Sequence, residues 1–256
     1  ADPVINMTIT GLFIAGGLGF SVWIDLVKNK RWAKLSLYSK MMILGTVVIN
    51  SVAVIAIYCI EYNNPNTLAP LSESGKWLAS WFQAVTTRTA GFNTVAIDQL
   101  EDATTALMLM LMFIGGGSMS TASGIKVVTF MVLVMATYNY LRRDGAVHFL
   151  KREIPKETVS KALALTIISA GVTWIAIFCL LLSEEADMLD IVFEAVSALG
   201  TVGLSRGLTT SLSEAGEFIL IFLMFMGLLG PLTLAYFLAS PRIKKLRYPS
   251  AKIAIG

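Results

Sequence analysis

Two stretches of this sequence combine threonine, small residues and glycine in a pattern suited to coordination by backbone oxygens. Thr86-Thr87-Arg88-Thr89-Ala90-Gly91-Phe92-Asn93 and Leu199-Gly200-Thr201-Val202-Gly203-Leu204-Ser205 align on Gly91 and Gly203. Each then reads Thr, a small residue or Val, Gly, Phe or Leu, and Asn or Ser. Glycine permits backbone conformations that turn successive carbonyls toward one axis, and rings of such oxygens can replace the hydration shell of a potassium ion. On this reading the donors are Thr89, Ala90, Gly91 and Phe92, and Thr201, Val202, Gly203 and Leu204. One such tetrapeptide is an ordinary loop turn; two in matching surroundings imply a cation pore.

The surroundings do match. Each stretch follows a short apolar run, Trp81–Val85 and Val192–Val196. A run of that length suits a half-membrane helix that stops at mid-depth, not a full span. Such helices are expected over 76–87 and 187–199, with their C-terminal ends and partial negative charge aimed at the strand that follows. A Gly-bearing extended strand would then return to the surface. Three residues separate Val85 from Thr89 and four separate Val196 from Thr201, so the two helices should enter their strands with different phase. Full apolar spans are expected over 5–27, about 39–60, 159–183 and 215–240. The stretch 104–140 is long but interrupted by Gly115-Gly116-Gly117-Ser118-Met119-Ser120-Thr121-Ala122-Ser123-Gly124. Non-helical backbone at membrane depth is tolerated only where protein buries it or a water-filled cavity receives it. This break is therefore expected beneath the strands, on the ion path. Gly115, Gly116, Gly117, Ser118, Ser120, Thr121, Ser123 and Gly124 form a candidate gate, with Lys126 as a charge needing a partner or water. Two rounds of span, half-helix, strand and span follow, repeats of the kind an ion pathway can be built from. The units are 1–38 (a last helix of a preceding round plus a loop), 39–158 and 159–256.

Composition agrees with a membrane-embedded, all-α chain. Of 256 residues 55% are hydrophobic and 14% charged, and the mean hydropathy is +0.71, against about 25% charge in an ordinary soluble domain. Assigning loops alternately to two sides puts 16 of 20 Lys and Arg, in 28–40, 142–161 and 242–252, on one face. That basic face is expected to be cytoplasmic. Of the 17 Asp and Glu, 13 fall on the opposite face with the strands, where an acidic vestibule would gather cations. The opening Ala1-Asp2-Pro3, without Met or a signal-peptide pattern, suggests a piece of a longer chain.

Other residue types carry less. Cys59 and Cys179 lie inside apolar spans and read as small buried hydrophobes. His148 stands alone on a basic loop, so neither a metal site nor histidine catalysis has a second member. Met108, Met110, Met112 and Met119 read as packing, and Trp77 and Trp81 as interfacial anchors or helix packing. Arg88 and Arg206 flank the strands, where a guanidinium can brace a carbonyl or carboxylate. An intramembrane enzyme would need a paired acid, nucleophile or metal site at mid-depth, and none is evident. A secondary transporter of an organic solute with broken helices is the alternative; it would favour helix N-termini aimed at an anion.

The three motifs in order, 86–93, Gly115 to Lys126 and 200–205, resemble the Trk/Ktr/HKT superfamily of potassium transporters, and the ending Tyr248-Pro249 to Gly256 is similar to the bacterial Ktr membrane subunits. The resemblance covers essentially the whole chain. It implies K+ translocation by four membrane–pore–membrane repeats, of which this chain holds the third, the fourth and the end of the second. It also implies a homodimer in the bacterial plasma membrane and a cytosolic, nucleotide-binding KtrA-like ring as regulator. Sodium coupling stays open. On that mapping Gly91 and Gly203 match the filter glycines and 115–124 the gating loop. One departure stands out: Gly227-Leu228-Leu229-Gly230-Pro231-Leu232 carries Leu228 where the family pattern often has Arg. The apolar end Ile253-Ala254-Ile255-Gly256 is expected to insert into a groove of the neighbouring subunit or of its own.

Overall fold

The computed structural model describes residues 2–117, 120, 122–143 and 145–230. The gate candidates Ser118 and Thr121, residues 231–240 of the last expected span, and the tail to Gly256 lie outside them. Nine α-helices and one short β-hairpin occur among the described residues.

Helices α3 (Leu37–Glu61) and α7 (Lys156–Ser183) are long and apolar enough to cross a bilayer. At 1.5 Å per residue, the 25 residues of α3 reach roughly 38 Å. Ser36 caps α3 by accepting from the Ser39 N–H at 3.1 Å. Its end is tied to the start of the next span: the fully buried Glu61 carboxylate accepts from Thr67 Oγ1 at 2.6 Å, Asn64 Nδ2 at 2.8 Å and the Glu101 N–H at 2.9 Å. Cys59 is exposed and Cys179 half-buried, which corrects the expectation that both are buried. Cys59 continues an outward apolar stripe of Val48, Val52 and Ile55 at helical spacing, a face suited to lipid.

The first expected span is not one rod. Helices α1 (Pro3–Leu18) and α2 (Phe20–Lys28) meet at 90°. Gly19, at φ 84° and ψ 149°, makes the corner in a region open essentially to glycine alone. The carbonyls freed by the bend find donors: Trp23 Nε1 reaches Ala15 O at 2.8 Å and the Gly117 N–H reaches Gly17 O at 2.7 Å, as backbone away from water requires.

Two shorter helices fill the middle of the molecule. Helix α4 (Glu73–Thr86), 14 residues, starts at the Ser72 cap, whose hydroxyl accepts from the Gly75 N–H. Helix α8 (Met188–Gly200), 13 residues, starts at Asp187, whose carboxylate accepts from the Leu189 N–H at 3.0 Å. Each is roughly 20 Å long, short of the ~30 Å hydrocarbon core. From Phe193 to Gly200 α8 is buried without interruption. Ile191, Ala195 and Leu199 pack with Ile177 and Leu180 of α7 and with Leu220 and Leu223 of α9 (Glu214–Leu229). Helix α4 lies against α1 and α3, with Trp81 Nε1 donating to Thr10 Oγ1 at 3.1 Å.

The long broken stretch becomes α5 (Asp102–Phe113) and α6 (Val127–Leu141). Met108 and Met112 are buried in the core, whereas Met110 faces outward. Strands β1 (Val147–Phe149) and β2 (Arg152–Ile154) form the antiparallel hairpin between α6 and α7. His148 sits exposed on β1 instead of on a loop. Phe149 and Ile154 anchor the hairpin against α3 and α6 through Met41 and Val132.

Candidate functional site

The C-terminal ends of α4 and α8 converge on two turns whose backbones touch. Thr89 (φ 64°) and Gly91 (φ 72°) after α4, and Thr201 (φ 49°) and Gly203 (φ 89°) after α8, hold positive φ at alternate positions. The strands are thus not regular extended chain, as the sequence suggested. In an ordinary strand successive carbonyls alternate sides; left-handed residues at every second position rotate the peptide planes so that carbonyls share one side. Threonine is β-branched and seldom found at positive φ, so its appearance twice at equivalent places is strain held by the surrounding structure.

That surrounding structure differs between the turns. After α8, the Thr201 N–H donates to Ala198 O at 3.0 Å and the Val202 N–H to Ser197 O at 2.9 Å, a Schellman closure with Thr201 at the left-handed position that glycine usually takes. After α4, the Thr86 hydroxyl donates to Phe92 O at 2.5 Å and accepts from the Phe92 N–H at 3.2 Å, folding the turn back on its helix. Phe92 stacks on Phe13 of α1, with ring centroids 5.9 Å apart. A Cβ on Gly91 would lie 2.5 Å from Val202 O, and one on Gly203 would lie 3.5 Å from the Gly91 Cα. Ala90 and Val202 complete the alternation. Leu204 is buried beyond it.

The outer edge of the second turn is a polar cluster that sequence reading did not assemble. Ser205 Oγ donates to the Glu194 carboxylate, and Thr209 Oγ1 donates to its second oxygen at 3.0 Å. Arg206 pairs with Asp190, Nε to Oδ1 at 2.6 Å, and its Nη1 reaches Thr105 Oγ1 at 3.1 Å and Ile97 O at 3.4 Å. Arg206 therefore does brace a carboxylate and a carbonyl. Arg88 braces neither: it is 8% exposed, and none of its three side-chain nitrogens has a hydrogen-bond partner among the described residues. The pattern Asp190, Glu194, i and i+4 on one helix face, was the available signal for the cluster.

The two described flanks of the Gly/Ser break are bonded to each other. Ile114 bridges Ile125, the Gly115 N–H donates to Ile125 O at 2.7 Å, and the Ile125 and Val127 N–H groups donate to Phe113 O and Gly116 O, both at 3.1 Å. Ser120 Oγ donates to Gly117 O at 2.6 Å, and Lys126 Nζ donates to Ala122 O, the partner its charge needed. Side chains are excluded here: a Cβ on Gly115 would meet Ser123 O at 1.7 Å, and one on Gly117 would meet Leu18 O at 2.5 Å. Gly124 takes φ 73° to close the return. Gly116 lines a small cavity with Val85 and Arg88, and a Cβ on Gly200 would meet Met112 O, just before the loop, at 2.8 Å. Leu228, 68% exposed, lines a cavity of about 560 Å³ with Thr201, Gly203 and Met224.

A chain with membrane-length apolar helices, two shorter helices ending on paired glycine turns and buried backbone between them has the make-up of a multi-pass membrane protein. It matches the family model TrkH, cation transport protein, over residues 1–246, and it belongs to that family. It is 44% identical over 255 residues to Ktr system potassium uptake protein B of Bacillus subtilis, covering 100% of this chain and 57% of that protein. To the protein of the same name from Vibrio alginolyticus it is 42% identical over 259 residues, covering 100% of this chain and 56% of that one. Its fold is similar to the crystal structure of the potassium transporter TrkH from Vibrio parahaemolyticus, with a TM-score of 0.77 at 19% identity, over 93% of this chain and 52% of that one. The chain thus spans somewhat more than half the length of these relatives.

Proposed function

We propose that the chain contributes two of the strands of a potassium pathway, with Thr89–Phe92 and Thr201–Leu204 as carbonyl donors to K+ and the 115–124 loop as the gate beneath them. One observation carries the reading: the paired turns hold positive φ at alternate residues while two helix C-termini point at them. Carbonyls gathered on one side, at the negative ends of two helix dipoles, make a site for a cation and a poor one for an anion. That also disfavours an organic anion as cargo, which would call for helix N-termini.

The remaining strands come from sequence outside this chain. The loop suits a gate because its described flanks are largely buried, hydrogen-bonded to each other and joined to α1 at Gly17. Its glycines permit a second arrangement at little steric cost. The basic loops at 28–40 and 142–161 would face the cytoplasm, where a KtrA-like ring and a second copy of the protein would dock. The test is Rb+ uptake by proteoliposomes holding the full-length protein. Competition by K+ well ahead of Na+, and none by organic solutes, is expected; uptake blocked by an organic solute, or no Rb+ uptake at all, would refute it.

A further inference from the structure

Arg88 is the one basic residue among the described ones that is buried and lacks any hydrogen-bond partner on its side chain. The other deeply buried cation, Lys76, lies 3.3 Å from Glu73 and 3.8 Å from the Tyr62 ring centroid. Arg206 is paired with Asp190. The buried carboxylates Glu61 and Glu194 are already engaged, Glu61 by Thr67 and the Glu101 N–H and Glu194 by Thr209. A guanidinium cannot lose its proton in a protein, so Arg88 is a permanent charge. Beside it, Thr46 Oγ1 and Asn50 Oδ1 of α3 are likewise buried without partners. With Val85 and Gly116 they line a cavity of about 10 Å³, the room that one water-sized molecule needs. Solvation by one such molecule and two neutral side chains leaves the charge itself uncompensated.

Its place in the chain gives that charge a consequence. Arg88 comes immediately before Thr89, the first left-handed residue of the turn. We infer that Arg88 is an affinity-setting residue: its buried guanidinium, unpaired among the described residues, weakens the hold of the first carbonyl turn on a cation, so that the ion is released instead of trapped. The inference rests on the reading of Thr89–Phe92 as carbonyl donors. Two unit charges about 10 Å apart at an effective dielectric of about 20 change an equilibrium by roughly tenfold or somewhat more. Burial keeps salt from screening them. The effect opposes the attraction from the α4 C-terminus, and a conducting site needs such a balance: binding strong enough to admit the ion and weak enough to let it go.

The test is the KM for Rb+ uptake by full-length Arg88→Met and Arg88→Lys proteins in proteoliposomes, together with the K+ concentration that half-stabilises each against heat. Arg88→Met should lower both about tenfold, while Arg88→Lys, keeping the charge, should stay within about twofold of the parent. Arg88→Gln serves as a second neutral variant should the Met protein fail to fold. Unchanged values in the neutral variant, or equal changes in the neutral and Lys variants, overturn the inference. Gly91→Ser measured in parallel separates the two readings. If it alters Rb+/Na+ competition while the neutral Arg88 variant changes nothing, the carbonyl site stands and the role of Arg88 falls. If neither responds, both fall.

Discussion

The turn after α4 and the turn after α8 reach the same alternation of left-handed residues by different local means. The second closes directly on its helix, with Thr201 following Gly200 in a Schellman pair of bonds and an outer shell in which Arg206 is paired with Asp190 and Glu194 accepts from Ser205. The first inserts Thr87 and Arg88 between helix end and left-handed residue. It is held by the Thr86 hydroxyl, by the Arg88 N–H on Val85 O and the Ala90 N–H on Thr86 O, and by Phe13 stacked on Phe92, and it keeps behind it a charge with no partner among the described residues. Sequence-similar units thus converge in backbone geometry and diverge in electrostatics. Backbone geometry depends on φ and ψ and leaves the outward side chains free to differ between the turns.

The largest effect that could break this comparison is expected at the glycines, and it should be unequal. At Gly91 a side chain would face positive φ and the Val202 carbonyl at 2.5 Å, while at Gly203 the nearest atom is 3.5 Å away. Gly91→Ser should therefore lose K+ over Na+ preference by about tenfold or more, the ~1–2 kcal/mol of left-handed strain adding to the clash. Gly203→Ser, with strain alone, should lose less. Rb+ uptake in competition with Na+ measures both, and equal losses would mean that the two turns are not in contact in the working protein.

Leu228→Arg should lower resting Rb+ flux severalfold. It would put a guanidinium into the cavity shared with Thr201 and Gly203, repelling the ion near the second turn only. Flux equal to that of the parent would remove position 228 from the pathway. Asp190→Asn sharpens the electrostatic half of the comparison. It leaves Arg206 with Thr105 and the Ile97 carbonyl but without its carboxylate, so the second turn would come to resemble the first. The KM for Rb+ should rise about two- to threefold, less than the change at Arg88 because this pair is partly solvated.

The smallest effect lies outside the spans, at Glu184, which holds Ser213, the cap of α9. Ser213 donates to it from both its hydroxyl, at 2.5 Å, and its N–H, at 2.9 Å, and these bonds hold the carboxyl below its usual range. A lowered folded-state pKa contributes stability that is present above the unfolded value and is lost as pH falls through the folded one. Thermal midpoints of the detergent-solubilised protein should therefore decline on acidification through and below the ordinary carboxylate range. Glu184→Gln should flatten that decline slightly, and an unchanged pH profile would take Glu184 out of the account.

How much of this could be read beforehand follows from which interactions are local. The short helices, the paired Thr-x-Gly turns and the Gly/Ser break are written in contiguous composition, and the described helices lie close to their expected ranges. The 90° corner at Gly19 could not be told from an uninterrupted apolar run, because glycines at 16 and 17 remain helical while the one at 19 does not. The difference between Arg88 and Arg206 was hidden as well. Both are arginines beside a glycine turn, and only the fold brings Asp190, Thr105 and Ile97 to one of them. Cys59 and Met110 were misassigned for a related reason: in a membrane an apolar residue can face outward at no cost, so hydrophobicity does not distinguish core from surface.

The central claim is that cations are held by the backbone of two unlike turns. Anomalous diffraction from crystals of the full-length protein grown in Rb+ tests it most directly. Rb+ peaks are expected within coordination distance of the carbonyl oxygens of Thr89–Phe92 and Thr201–Leu204, with occupancy rising in Arg88→Met. Rb+ bound elsewhere in a protein that still transports it, with both turns empty, would contradict the account.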